Sequence, residues 1–434
     1  LKKVLILTYY WPPSGGSGVQ RWMYFCKYLP EFGFEPIVIT ADEKNASYKF
    51  TDVSFLEKVK DIRVLKTNTL EPLKLYSKVL GGDPRSNIPL GFSGEDNPSF
   101  FQKLSRFIRG NFFIPDARIG WNIFAYPKAA KIIENENINI VITTGPPHST
   151  HLIGLKLKNK FNINWISDFR DPWSDIYYNE LLYRTKYSNE RDKILERKVL
   201  QKSDMIVTIG PSMRDHLVEK LPEANGKIHF IYNGFDPDSF KDIRVSKRKD
   251  KFTVCHIGIL SNSQPITSLL EALARFYSSD DPICKYLKLQ FVGKVSPSIV
   301  REIKEKVAWT ELELINYLPH RDTIQFMLNA DLLFNSLAEM NESKLLISGK
   351  LMEYIATGNP ILCLGNPDGD AAKLLRTLEN SEVFDRSNID GIHDFILNIF
   401  DKWKNNINLT NKVTLDYTRY ETTKQLSQLI RKFN

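Results

Sequence analysis

The sequence predicts an α/β protein made of two parallel-sheet domains, and three observations carry that prediction. The chain has 434 residues, about twice what one compact core usually organises. Short β-branched runs alternate with helical patterns from end to end, as successive βα units require. The alternation is broken by the polar stretch Asp236–Asp250 and then restarts, which marks a second sheet rather than a longer first one.

The expected strands of the first half are Val4–Thr8, Pro36–Thr40, Arg63–Lys66, Ile138–Thr144, Asn164–Asp168, Met205–Ile209 and His229–Tyr232. Those of the second half are Phe252–Ile257, Leu287–Val292, Glu311–Asn316, Asp331–Phe334 and Pro360–Leu364. The domains are therefore expected at 1–236 and 237–413. A final helical pattern, Thr414–Phe433, either completes the second domain or crosses back to the first. Asp83–Asn97, rich in Gly, Pro, Ser and Asn, reads as a long mobile loop.

Composition narrows the function. Hydrophobic residues make up 42% and charged residues 25%, the balance of a soluble globular protein. The net charge of +8 favours anionic partners, but the densest basic run, Arg244–Lys251, reads as a solvated connector, so no nucleic-acid partner is expected. The four cysteines, Cys26, Cys255, Cys284 and Cys363, form no C-x-x-C pair, which argues against zinc and for a reducing, cytoplasmic setting. No run reaches the ~18 apolar residues of a membrane span. The opening Leu1-Lys2-Lys3-Val4 reads as the start of a buried strand rather than a leader.

Several motifs fall where strands end, the edge at which open α/β sheets hold ligands. In Ser348–Leu362 a small-residue turn opens a helix bearing Lys350 and Glu353 on one face, and Gly358 and Pro360 stop it. The free N–H groups of that helix and the Lys350 ammonium suit a phosphate, and the Glu353 carboxylate suits ribose hydroxyls. An ordinary capped amphipathic helix reads the same way. Pro12–Arg21 carries Gly15, Gly16 and Gly18, whose backbone can approach an anion closely. The dinucleotide fingerprint fails there, because Arg21 stands where its third glycine belongs. Thr143–His151 places His148 and His151 after an apolar strand, as substrate contacts or as helix caps. Asp168-Phe169-Arg170-Asp171-Pro172-Trp173 sets two carboxylates about an arginine, to orient a hydroxyl or to pair internally. Gly258 and the Gly293-Lys294 pair end two strands of the second half and outline a crevice with Lys350. Asp368-Gly369-Asp370 resembles a D-x-D metal motif but reads as a helix N-cap, so no metal is expected. Phe100–Arg109 has Phe100, Leu104, Phe107 and Ile108 on one side and Lys103, Arg106 and Arg109 around it, the pattern of a helix lying on anionic lipid or packing on its own domain.

With these motifs in order, the chain resembles the family 4 retaining glycosyltransferases of GT-B fold, in the branch that builds bacterial surface polysaccharides. The resemblance rests on Pro12–Gly18, Thr144–Ser149, Asp168–Trp173, Asn233–Asp236 and Gly349–Tyr354. It implies two Rossmann-like domains facing each other across a cleft, with 414–434 crossing back to the first. It implies transfer of a sugar from a UDP- or GDP-linked donor to a hydroxyl of a glycan or lipid-linked saccharide, without metal or cofactor, at the inner face of the plasma membrane. Glu353 corresponds to the second glutamate of the family's E-x7-E motif, and Gly16 to the residue lying against the donor diphosphate. Gly15, Gly18, Gly258, Lys294, Lys350 and Leu351 complete the expected donor set, and His148, Asp168, Arg170 and Asp171 the expected catalytic set. The chain departs from the pattern twice. Leu345 stands where the first glutamate belongs, and Ile259–Pro265 lacks the basic pair that many relatives carry after that strand. The same fold also serves UDP-sugar 2-epimerases, and a non-catalytic nucleotide-sugar-binding member fits the departures.

Overall fold

A computed structural model describes residues 1–48, 51–71, 100–340 and 342–433. The expected loop Asp83–Asn97 lies outside the described residues. The chain forms two compact units, Leu1–Asn233 with Arg419–Asn434, and Gly234–Thr418.

In the first unit the strands are β1 (Lys2–Leu7), β2 (Phe34–Ala41), β3 (Arg63–Thr67), β4 (Ile140–Gly145), β5 (Asn164–Phe169), β6 (Met205–Thr208) and β7 (Ile228–Phe230). They form one parallel sheet in the order β3-β2-β1-β4-β5-β6-β7. Val4, Leu5, Ile6 and Leu7 of β1 are buried, as a central strand covered on both faces must be. The strand order reverses between β1 and β4, so the carboxyl ends of those two strands open at a switch point. The Gly15–Gly18 loop follows β1, and His148 follows β4.

The second unit repeats the plan with β8 (Phe252–Ile257), β9 (Leu287–Val292), β10 (Glu311–Ile315), β11 (Leu332–Ser336), β12 (Ile361–Leu364) and β13 (Ser381–Phe384). Its order is β10-β9-β8-β11-β12-β13, all parallel. Here the switch point lies between β8 and β11. The expected strands are all present, displaced by no more than a few residues at their ends, and β13 is an addition. Its Ser381-Glu382-Val383-Phe384 sits at the sheet edge, where a short strand with alternate polar residues gives little periodic signal.

The C-terminal helix Arg419–Arg431 packs on the first unit. Leu426 and Ile430 are fully buried there in one cluster with Trp22, Met23 and Phe25. Two aliphatic side chains so buried contribute roughly 3–6 kcal/mol before ordering costs. Tyr420 adds an edge contact to Tyr28 and a tilted one to Phe32. The helix Ser149–Lys160 sits tightly on β5, since a Cβ at Gly154 would come within 2.3 Å of the Trp165 ring.

Candidate active site

Two clusters of chemically equipped residues occupy the strand ends at the switch points, one in each unit. In the second unit the site begins with glycine geometry. Gly258 and Gly293 follow β8 and β9 with φ of 103° and 127°, values that favour glycine. A Cβ at Gly293 would lie 2.4 Å from the Gly258 carbonyl oxygen, so two strand ends approach as closely as backbone permits.

The helix Gly349–Thr357 rests over this pair. Ser348 enters it in an extended conformation, and Gly358 ends it in the left-handed region, with Pro360 just beyond. Leu351, Met352, Tyr354 and Ile355 form its buried face. Tyr354 pins the helix to the sheet, its hydroxyl accepting from Ile257 N at 2.9 Å and donating to Phe334 O at 3.3 Å. Lys350 lies on the other side, against the Gly258 turn. A Cβ at Gly258 would fall 3.0 Å from Lys350 Nζ, so the glycine makes room for the ammonium. Surrounding atoms desolvate that ammonium and push its pKa down to about 8. Glu353, one turn along, accepts from His320 Nε2 at 2.6 Å through one carboxylate oxygen. Its other oxygen has no hydrogen-bond partner among the described residues.

The two departures from the family pattern take physical form here. Leu345 is buried, so the position of the first E-x7-E glutamate is a core contact. Ile259–Pro265 folds on itself: Leu260 is buried, Ser261 and Ser263 share a 2.9 Å hydroxyl contact, and Gln264 Nε2 donates to Ser336 O. The cation at the β8 end therefore comes from the helix.

In the first unit, Asp168 at the end of β5 is fully buried. It accepts from Arg21 Nε at 3.1 Å, Trp22 Nε1 at 2.7 Å and Thr144 Oγ1 at 2.8 Å. Arg21, 1% exposed, also donates to Ile231 O and Asn233 Oδ1. Arg170 donates to the carbonyls of Gly145, Pro146 and Gly18, stitching the β4 turn to the glycine loop. Asp171 is different. Burial raises its pKa, Arg170 opposes the rise, and its carboxylate has no hydrogen-bond partner among the described residues.

His148 is nearly buried and stacks on Trp173 at 5.1 Å with an interplanar angle of 12°. Its Nε2 lies 3.2 Å from Pro172 O, and a carbonyl only accepts, so Nε2 carries the proton and Nδ1 presents a lone pair. Nδ1 has no partner. Burial lowers the His148 pKa to about 3, so the ring is neutral at any ordinary pH. Trp173 is held in turn, its Nε1 donating to Asp192 Oδ1 at 2.7 Å, and Arg184 pairs with the other oxygen of Asp192.

The structure gives several of the expected site residues partners inside their own unit. Asp168 is held by three donors in the core, and Arg170 spends three of its five N–H donors on backbone carbonyls. Leu351 turns its side chain into the core, and its N–H donates to Ser348 O at 3.0 Å. His148 holds the N-cap position of the helix Ser149–Lys160 without a capping bond from its side chain, and Asp116 instead accepts from both the N–H and the hydroxyl of Ser149 at 2.8 Å. His151 is fully buried and bonds Thr143 Oγ1 at 2.8 Å. Gly369, rather than either aspartate, holds the N-cap position of the helix Asp370–Leu375, and buried Asp370 pairs with Lys373. Lys294 is exposed beyond Gly293. The glycine loop is tied down at its start, where Pro13 O accepts from Asp52 N, and Gly16 takes φ 89° before the helix Ser17–Tyr28, whose start no side chain caps.

Sequence reasoning missed Arg21, Asp192 and His256 as members of these clusters. A charged residue set among Val19, Trp22, Met23 and Phe25 is a sign of a buried partner, and Arg21 carried that sign.

Comparison with known proteins follows the same lines. Residues 90–239 match the family model described as Glycosyltransferase Family 4. No curated protein sequence gives a significant match. Among solved structures, the catalytic domain of starch synthase IV from Arabidopsis thaliana, bound to ADP and acarbose, superposes with a TM-score of 0.64 at 11% identity, covering 100% of this chain and 99% of that one. Anabaena HepE in complex with UDP and glucose gives 0.60 at 13% identity, with 100% of both chains covered. A candidate UDP-N-acetylglucosamine 2-epimerase from Listeria monocytogenes gives 0.53 at 12% identity over 100% and 97%. At these identities the likeness is one of fold. The chain has the GT-B fold, with two Rossmann-like domains.

Proposed function

We propose that the protein is a metal-independent glycosyltransferase that moves a hexosyl group from a UDP- or GDP-linked donor to a hydroxyl of a glycan or lipid-linked saccharide, with retention, in bacterial polysaccharide synthesis. The observation that carries this reading is the half-buried Lys350 ammonium at the Gly258 turn, one helical turn from a carboxylate with an oxygen to spare. An ammonium held without a carboxylate hydrogen bond favours an arriving dianion, and Glu353 meets the ribose hydroxyls that accompany it. The family-model match and the fold support the same class of chemistry.

In this reading the bond from the anomeric carbon to the diphosphate oxygen breaks as the acceptor oxygen bonds to that carbon. The acceptor proton passes to the departing phosphate oxygen, which Lys350 and the N–H groups at the start of its helix stabilise. Gly258 gives the phosphates backbone-close access, and exposed Lys294 adds long-range attraction. Asp171 accepts a hydrogen bond from an acceptor hydroxyl, so a strong base is not needed.

A 2-epimerase is the second reading, favoured by the Listeria monocytogenes neighbour and by the raised pKa of the Asp171 carboxyl. Incubation with UDP-N-acetylglucosamine alone separates the two. The transferase leaves that sugar's configuration at C2 unchanged, and accumulation of the C2 epimer would overturn the transferase reading.

The helix Phe100–Phe112 supports a peripheral membrane role. Its apolar stripe faces outward, with Phe100 74%, Leu104 39% and Phe107 39% exposed, whereas Gly110 and Arg106 lie on the buried side. A cytosolic domain rarely turns its apolar stripe to water unless something covers it. No helix among the described residues is long and apolar enough to cross a membrane. We expect flotation with vesicles containing anionic phospholipid, and its loss in the triple variant Phe100→Ser, Leu104→Ser, Phe107→Ser. Equal flotation of variant and parent would rule this helix out as the contact.

A further inference from the structure

The Lys350 side chain is half-buried, and its ammonium meets few acceptors among the described residues. Its Nζ lies 3.4 Å from His256 Nε2 and 3.5 Å from Ile259 O, both at the long limit of a hydrogen bond. The other groups that face it are Glu353 on its own helix and Cys363 on β12, and both act on it through space.

His256 belongs to β8 and is 1% exposed. Its Nδ1 lies 3.1 Å from Phe334 O, a carbonyl that can only accept, so Nδ1 carries the proton and Nε2 turns a lone pair toward Lys350. The same carbonyl accepts from the Tyr354 hydroxyl. Lys350 and Tyr354, four residues apart on one helix, thus both meet the group built on β8 and β11. Burial and the adjacent ammonium keep the imidazole neutral, which preserves its role as acceptor.

We propose that His256 is a positioning residue for nucleotide-sugar binding: its Nε2 lone pair holds the Lys350 ammonium at the Gly258 turn, aimed where the donor diphosphate arrives. The inference rests on the reading of Lys350 as the phosphate-binding cation. A neutral acceptor does this without cancelling the charge the ligand needs, as a carboxylate at hydrogen-bond distance would. Polar strand residues of this kind are ordinarily read as core, and nothing in the spacing marks His256.

The test is calorimetric titration of UDP, with GDP and ADP in parallel, from pH 6 to pH 9.5. The proteins are the parent, Lys350→Ala, His256→Leu and His256→Gln. Binding of a dianion takes up a proton wherever the free lysine has lost one. Parental affinity should therefore hold to about pH 7.5 and fall roughly tenfold per pH unit above the lysine's value of about 8. His256→Leu removes the acceptor and disfavours the ammonium, so binding should weaken slightly at pH 6 and about fivefold more at pH 8. Binding retained at pH 6 also shows that the variant folds. His256→Gln restores an acceptor and should return the parental profile.

Weakening by the same factor at every pH, or none at all, in a background where Lys350→Ala loses binding, would overturn the positioning role and leave the site reading intact. If Lys350→Ala binds as the parent does, or if the parent binds none of the three nucleotides, the site reading falls and this inference with it.

Discussion

Lys350→Ala should weaken nucleoside-diphosphate binding by roughly 10- to 100-fold at pH 7, the loss expected for one charge-assisted hydrogen-bonded contact to phosphate. The free protein should not lose stability. Its ammonium is desolvated at the Gly258 turn, with only long contacts to His256 and Ile259, and an uncompensated cation is a cost to folding below its unfolded pKa. The folded-state value is lowered to about 8, so the penalty is full below pH 8 and vanishes only as pH rises toward the unfolded lysine value. Calorimetry for binding and thermal unfolding for stability should thus move in opposite directions, or unfolding should stay put. A variant that binds normally but unfolds earlier would make Lys350 a packing residue.

Asp168→Ala should produce the largest loss of stability in the first unit, about 3–5 kcal/mol. The carboxylate is fully buried, and its removal strands the Arg21 guanidinium and the Trp22 indole N–H in the core without an acceptor. That loss is a large fraction of ordinary domain stability. Replacing both partners, with Arg21→Met and Asp168→Leu together, should recover much of it, because the cost lies in the unpaired charge more than in the missing pair. Urea unfolding reads both variants. Full stability of Asp168→Ala with loss of turnover would instead return Asp168 to the reaction itself.

The contrast between Asp168 and Asp171 shows where sequence reasoning reached and where it stopped. Two carboxylates around an arginine at a strand end were visible as a polar knot, and the strand periodicity placed the knot correctly. Which carboxylate faces inward depends on Arg21, 147 residues earlier, and no local pattern registers a pairing across that separation. Strand ends, glycine turns and the Lys350–Glu353 spacing were legible because they are local. The helix Gly349–Thr357 shows the same split. Its start, its stop and its polar face follow from sequence, whereas the burial of Leu351 and the approach of His256 follow from how the helix lies on β8 and β11. Phe100–Phe112 shows another limit, since periodicity identifies an apolar stripe without saying whether it points into the domain or away from it.

The measurement closest to the central claim is a thermal-shift panel of UDP-, GDP- and CDP-sugars on the intact chain. A ligand at about 100 times its dissociation constant adds roughly 2.7 kcal/mol to the stability of the unit that binds it. We predict a clear rise in unfolding temperature with UDP- or GDP-sugars that Lys350→Ala abolishes. No rise with any nucleotide sugar, at concentrations up to several millimolar, would contradict the account.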